Sequence, residues 1–251
     1  MEALTGWVVA TLLLSLRIAP AFALAPPFTL TRVPPLFRVM FGLAVSACVV
    51  SAHPGAAWTL GFEAGGLVLA AVRELFLGAM VVAALQVMFG ALYFAGRTLD
   101  VQAGFGLALL IDPTSRTQTP LVGTLFAYAA GVVFFAMNGH GELLRLLGAS
   151  LDAIPLGAAA PIPPIGRMAA FMSAAFLIAF GIAGTTILCL FITDLTVAML
   201  SRTAPQMNVL VLGFQVKTII LFLVLPTSFG VAGALFARLG RLTLEAIPGL
   251  L

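Results

Sequence analysis

Charge is what this sequence lacks most. Only 8% of its 251 residues are Asp, Glu, Lys or Arg, against roughly 25% in soluble domains, and lysine occurs once, at position 217. A soluble fold of this length covers itself with polar groups, and this chain has too few. Histidine and cysteine are as sparse, with two of each. His53 and His140 stand beside Gly or Pro turns without a carboxylate or thiol cluster, which argues against a metal site. Cys48 and Cys189 lie in apolar runs and read as small buried hydrophobes, not as a redox pair. The basic residues form no cluster, so nucleic acid is not an expected partner. Around Gly104 the glycine spacing and the Lys-Ser/Thr of a phosphate loop are missing. Ser15, Ser46 and Ser173 sit in apolar segments, where hydroxyls bond back to the helix. No nucleophile can be assembled with a base and an orienter. The expectation is no enzyme, no cofactor and no metal.

What is present is apolar sequence in long continuous runs. Hydrophobic residues make up 62% of the chain and the mean hydropathy is +1.17. Membrane barrels alternate apolar and polar residues over strands of about ten, so an all-α membrane protein is expected. A bilayer core of about 30 Å takes about 20 helical residues. Six segments follow: Leu4 to Leu24, bent or ended by Pro20; Val39 to Ala52; Gly66 to Gly96; Leu121 to Met137; Met168 to Leu200; and Val209 to Leu239, with Pro226 as a kink. "AFALA" at Ala21 faintly resembles a signal cleavage site, but the positive n-region is absent, so an uncleaved first segment is expected.

Several segments have awkward lengths, and the arginines do not orient them. With the N-terminus outside, the inner loops carry Arg32, Arg38, Arg97, Arg116 and Arg202, and the outer ones Arg145, Arg167, Arg238 and Arg241. With the two sides so nearly balanced, the positive-inside rule sets no orientation. "APPFTLTRVPPLFR" reads as a stiff connector. Gly139 to Arg167, with "PLGAAAPIPPIG", reads as a linker between four segments and a terminal two-segment hairpin. The apolar stretch between Arg97 and Pro120 is too short to span, and is re-entrant, interfacial or packed into a cavity.

Charges within the apolar segments mark functional or buried positions, because each is expensive in lipid. These are Arg17, Arg73, Glu74, Asp194 and Lys217. Neighbours on a helix point apart, so at least one of Arg73 and Glu74 should meet another segment. With Pro205 as the hairpin tip, Asp194 and Lys217 both lie roughly 17 Å from it. They either pair, line an aqueous passage, contact a partner subunit or snorkel. Small residues at helical spacing (Gly61 and Gly65; Ala175, Ala179 and Ala183; Gly230 and Gly233) favour close helix packing.

"SRTAPQMNVLVLGF", from Ser201, resembles the Arg-x-Ala-Pro-Gln-x-Asn turn of the FliR family of flagellar type III export-gate proteins. "RIAPAFALAPPF", "RELFLGAMVVAALQVMFGALYFAG", "GFGLALLIDPTSRTQTP" and "MNGHGELL" follow that family's order along nearly the whole chain. The resemblance implies a FliP-like helical part over residues 1–167 and a FliQ-like hairpin over 168–251, turning near 201–208. It implies assembly with FliP and FliQ proteins, joined by FlhB and FlhA, in the bacterial inner membrane at the flagellar basal body. Unfolded proteins would be the cargo. It also implies that the loop near 104–120 projects into the pore and closes it, with Phe105, Leu107, Leu109, Leu110 and Ile111 as apolar bulk and Gly104 and Gly106 giving flexibility. Arg202, Ala204, Pro205, Gln206 and Asn208 become assembly residues of the turn. The competing expectations are an injectisome gate subunit and an ion or small-molecule transporter, for which inverted repeats would be the mark.

Overall fold

The structure is a computed structural model that describes residues 2–30, 33–53, 64–105, 120–159, 162–204, 206 and 208–251. Among them it is all-helical: α1 Glu2–Leu24, a 3-10 turn Phe28–Leu30, α2 Pro35–Ala52, α3 Ala64–Gln102, α4 Leu121–Ala136, α5 Gly139–Ala153, α6 Ile165–Thr203 and α7 Val209–Leu250. Five helices have the length and hydropathy to cross a membrane, and α4 with α5, bent by 70°, would add a sixth as one broken span. The 39-residue α3 and α6 rise about 58 Å each, almost twice a hydrocarbon core of about 30 Å. Their length is the physical source of the awkward segment boundaries.

Several boundaries differ from the sequence expectation. Helix α1 runs through Pro20 to Leu24. Proline there removes the N–H that would bond the Leu16 carbonyl, and that oxygen lies against Gly78 of α3, where a Cβ would approach within 2.6 Å. Pro34 and Pro35 do not belong to the connector alone: they are the N-cap and first residue of α2, where a missing N–H is harmless. Arg97 to Gln102, expected in a loop, complete α3. Helix α7 continues past Leu239 to Leu250, burying Leu244, Ile247 and Leu250.

The linker expectation for Gly139 to Arg167 is wrong for its first half. Gly139–Ala153 is a helix burying Leu143, Leu147 and Leu151, one residue per turn on a single face. It is separated from α4 by Asn138, held at φ 58° and ψ 30°. A side chain at Gly139 would meet the Phe134 ring at 2.7 Å, so glycine permits the sharp turn. Cys48, expected to be buried, is exposed on α2. Ser15 and Ser46 do bond back, to the Leu12 and Gly42 carbonyls.

The described chain forms two compact units that interleave along the sequence. One comprises Met1–Met88, Phe134–Met172 and Gly240–Leu251; the other Phe89–Val133 and Ser173–Leu239. In the first, Leu14 and Ile18 of α1 pack with Val81 and Leu85 of α3 and with Leu143 and Leu147 of α5. In the second, Phe126 of α4 meets Phe229 and Phe236 of α7, ring centroids 5.6 and 6.1 Å apart. Ala175, Ala179 and Ala183 are fully buried there, so that stripe packs within the chain. Gly65, Gly230 and Gly233 instead face open space among the described residues, and Gly61 lies outside them.

Candidate functional site

The terminal hairpin is in register along its length. Val197 of α6 packs where a side chain at Gly213 of α7 would sit, 3.2 Å away. Asp194 and Lys217 form an ion pair through Oδ1 and Nζ. Deeper still, Thr186 and Ser228 share a buried hydrogen bond of 2.8 Å. Antiparallel helices joined by a short turn put residues equidistant from the tip at one level. The pair is not closed off: the Asp194 side chain is 40% exposed and that of Lys217 21%.

At the tip, Ala204 N–H closes α6 on the Leu200 carbonyl. The Asn208 side chain accepts the Val211 N–H at 3.4 Å, a cap for an otherwise orphaned donor. Arg202 and Gln206 are exposed, and Pro205 lies outside the described residues. The turn therefore presents two polar side chains at the end of the hairpin.

The loop expected near 104–120 grows from a tightly tied base. Gly96 of α3 and Gly123 of α4 cross so closely that a Cβ on Gly96 would stand 2.4 Å from the Gly123 backbone. Only glycine allows such an approach. Both carboxylate oxygens of Asp100 accept the Val122 N–H, at 3.1 and 3.2 Å, so the end of α3 caps the start of α4. Gln102 donates to the Ile187 carbonyl of α6 at 3.3 Å. Gly104 follows at φ 90°, a backbone that side chains other than hydrogen disfavour. The Phe105 ring meets Phe214 of α7 with centroids 6.4 Å apart. Gly106, Leu107, Leu109, Leu110 and Ile111 lie outside the described residues.

In the other unit sits a polar centre that sequence reasoning did not assemble. Arg17 of α1 donates to Glu74 of α3 through Nε and Nη2, at 2.7 and 2.9 Å. Its remaining donors reach the Ser150 carbonyl and hydroxyl and the Ile154 carbonyl at 3.0 to 3.2 Å. All five guanidinium N–H groups are thus engaged, and neither charged side chain has any exposure. Glu74 also accepts the Gly157 N–H at 2.9 Å, and Arg73 donates to the Gly157 carbonyl at 2.7 Å. Arg73 and Glu74 diverge, as neighbours on a helix must, yet both clamp the same residue.

The described site is thus an extended hairpin and a tied loop base on helices longer than one bilayer core. The sequence profile of the family described as "Bacterial export proteins, family 1" matches residues 8–242. The chain belongs to this family. It is similar to the flagellar biosynthetic protein FliR of Bacillus subtilis (strain 168), 30% identical over 96% of this chain and 94% of that protein. It is likewise similar to FliR of Escherichia coli (strain K12), 26% identical over 79% and 76%. The Yop proteins translocation protein T of Yersinia pestis is 30% identical over 65% of this chain and 64% of its own length. Membership of an export family agrees with a membrane protein whose polar groups are met largely by protein.

Proposed function

We propose that the chain is a structural and gating subunit of the flagellar type III protein-export channel, acting without chemistry of its own. Family membership makes it an export-apparatus subunit. The flagellar assignment rests on one observation: the Bacillus flagellar relative is matched over 96% of the chain, the Yersinia protein over 65%. In this reading residues 1–167 are the FliP-like part and 168–251 the FliQ-like hairpin. The partners are FliP-like and FliQ-like subunits with FlhB and FlhA, the cargo is unfolded flagellar protein, and the place is the inner membrane at the basal body. Arg202, Ala204, Pro205, Gln206 and Asn208 act as assembly contacts.

The gate is the loop from Gly104, with Phe105, Gly106, Leu107, Leu109, Leu110 and Ile111. Its support is the tied base: the two crossing glycines and the Asp100 carboxylate bring the end of α3 and the start of α4 together on either side of it. An apolar constriction excludes ions by dewetting. The test is deletion of residues 105–111 in a strain whose channel is otherwise native. The complex should still co-purify with its FliP-like partner while cells leak ions. An assembled, ion-tight deletion complex overturns the gate. Full motility of a strain lacking the whole gene overturns the flagellar assignment and favours the injectisome relative.

A further inference from the structure

We infer that a groove beside the first two helices binds an anionic phospholipid, with an acyl chain in the cleft and the phosphate on Arg38. The groove has a volume of about 750 Å³, within the roughly 300–1,000 Å³ of small-molecule sites. It lies between the end of α1, the 3-10 turn, the first half of α2 and the junction of α4 with α5. Phe22, Phe28, Phe37, Phe41 and Phe135 line it. Four of these rings are linked in series: Phe41 to Phe22 at 5.2 Å, Phe22 to Phe28 at 4.7 Å, and Phe28 to Phe135 at 5.9 Å between centroids. Such a wall favours a flexible hydrocarbon.

Two polar residues line the groove, Arg38 and His140. Arg38 donates to the Ala23 carbonyl at 2.9 Å, and none of the ion pairs among the described residues includes it. Its Nε and His140 Nδ1 are enclosed and have no hydrogen-bond partner among those residues. A half-buried guanidinium with only a neutral carbonyl is under-compensated. A phosphate suits the planar fork, which takes it in two parallel bonds.

Depth decides between a lipid and a peptide. Helix α2 has 18 residues and rises about 27 Å, close to one hydrocarbon core of about 30 Å. Arg38 is in its first turn, so with α2 crossing as a single span it stands at the level of headgroups. From there the groove follows α2 through Phe41 to Ala44, about 9 Å deeper, the direction an acyl chain takes from its phosphate. Of the spans, α2 is the least covered by the rest of the chain, with 17% of its window buried.

The experiment uses the full-length chain purified with its partner subunits in detergent, followed by native mass spectrometry with added dioleoyl phosphatidylglycerol or dioleoyl phosphatidylcholine. The wild type should retain phosphatidylglycerol selectively. Arg38→Gln should weaken retention by roughly tenfold or more, as loss of a charged hydrogen-bond pair does, and Arg38→Lys should recover part of it. Ala44→Trp, which fills the cleft and leaves the cation in place, should also abolish retention. Co-purification of partners with each variant shows that it has folded. Equal retention by wild type, Arg38→Gln and Ala44→Trp overturns the site. So does equal binding of the two lipids, and so does a photo-crosslinker at Phe41 that captures a partner protein in membranes instead of lipid.

Discussion

In one compact unit Arg17 and Glu74 meet between α1 and α3 with no exposure of either side chain; in the other, Lys217 and Asp194 meet between α7 and α6 with 21% and 40% exposed. The chemistry is the same and the surroundings are opposite. Arg17 has every donor taken, and Glu74 accepts a backbone N–H besides its partner. A buried pair repays its desolvation only under those conditions. The hairpin pair joins Lys217 Nζ to Asp194 Oδ1 with the carboxylate side chain 40% exposed. The first arrangement fixes one packing of α1, α3, α5 and the turn at Gly157. The second leaves part of its carboxylate open to another group.

Breaking the closed pair should have the largest effect. Arg17→Met strands Glu74 as an uncompensated buried charge, at a cost of about 3–5 kcal/mol. Thermal unfolding in detergent, and recovery of the chain with its partners, should both fall sharply. Glu74→Leu added to Arg17→Met should restore most of the loss, because a packed apolar pair avoids desolvation. A single Arg17→Met variant that melts like the wild type would remove the network from its central position.

The two pairs also differ in how far the amino-acid sequence reveals them. Asp194 and Lys217 are legible because a turn fixes the register of an antiparallel hairpin, and distance from the tip then equals depth. Arg17 and Glu74 each stand out as a charge in an apolar run, but they are 57 residues apart. Nothing local states that α1 packs on α3 at Gly78. The helices themselves are legible from hydrophobic length, whereas their ends are not. Arg97 and Asp100 look like loop residues until Asp100 is seen capping α4. The stripe Leu143, Leu147, Leu151 was an available signal for α5, hidden by the Gly and Pro residues around it. Asp100 is the residue whose role a sequence reading misses altogether, since its partner is a backbone N–H.

Asp100 lies in the same unit as the open pair yet is buried as the closed one is. Asp100→Ala should cost about 0.5–2 kcal/mol, the range for losing an N-cap. Its effect on the proposed gate should exceed its effect on stability, because it removes the tie between α3 and α4. Asp100→Asn keeps an accepting oxygen and should fall between. Unfolding and ion leak measured on the same preparations separate the two effects; a destabilised variant with no added leak would mean the loop is held without it.

Lys217→Met and Asp194→Leu should change the chain's own stability less than Arg17→Met does, because the hairpin pair is only partly buried. The half-exposed geometry predicts where the effect goes instead. If the pair serves the hairpin alone, reversing both charges (Asp194→Lys with Lys217→Asp) restores assembly as well as unfolding temperature. If the exposed carboxylate meets an incoming subunit, the reversal restores the melt but leaves co-purification of the FliP-like and FliQ-like partners impaired. The second pattern is the expected one, since 40% of the Asp194 side chain is open to another group. Full recovery of both measurements would make the hairpin pair a weaker copy of the closed one and dissolve the contrast between the two units.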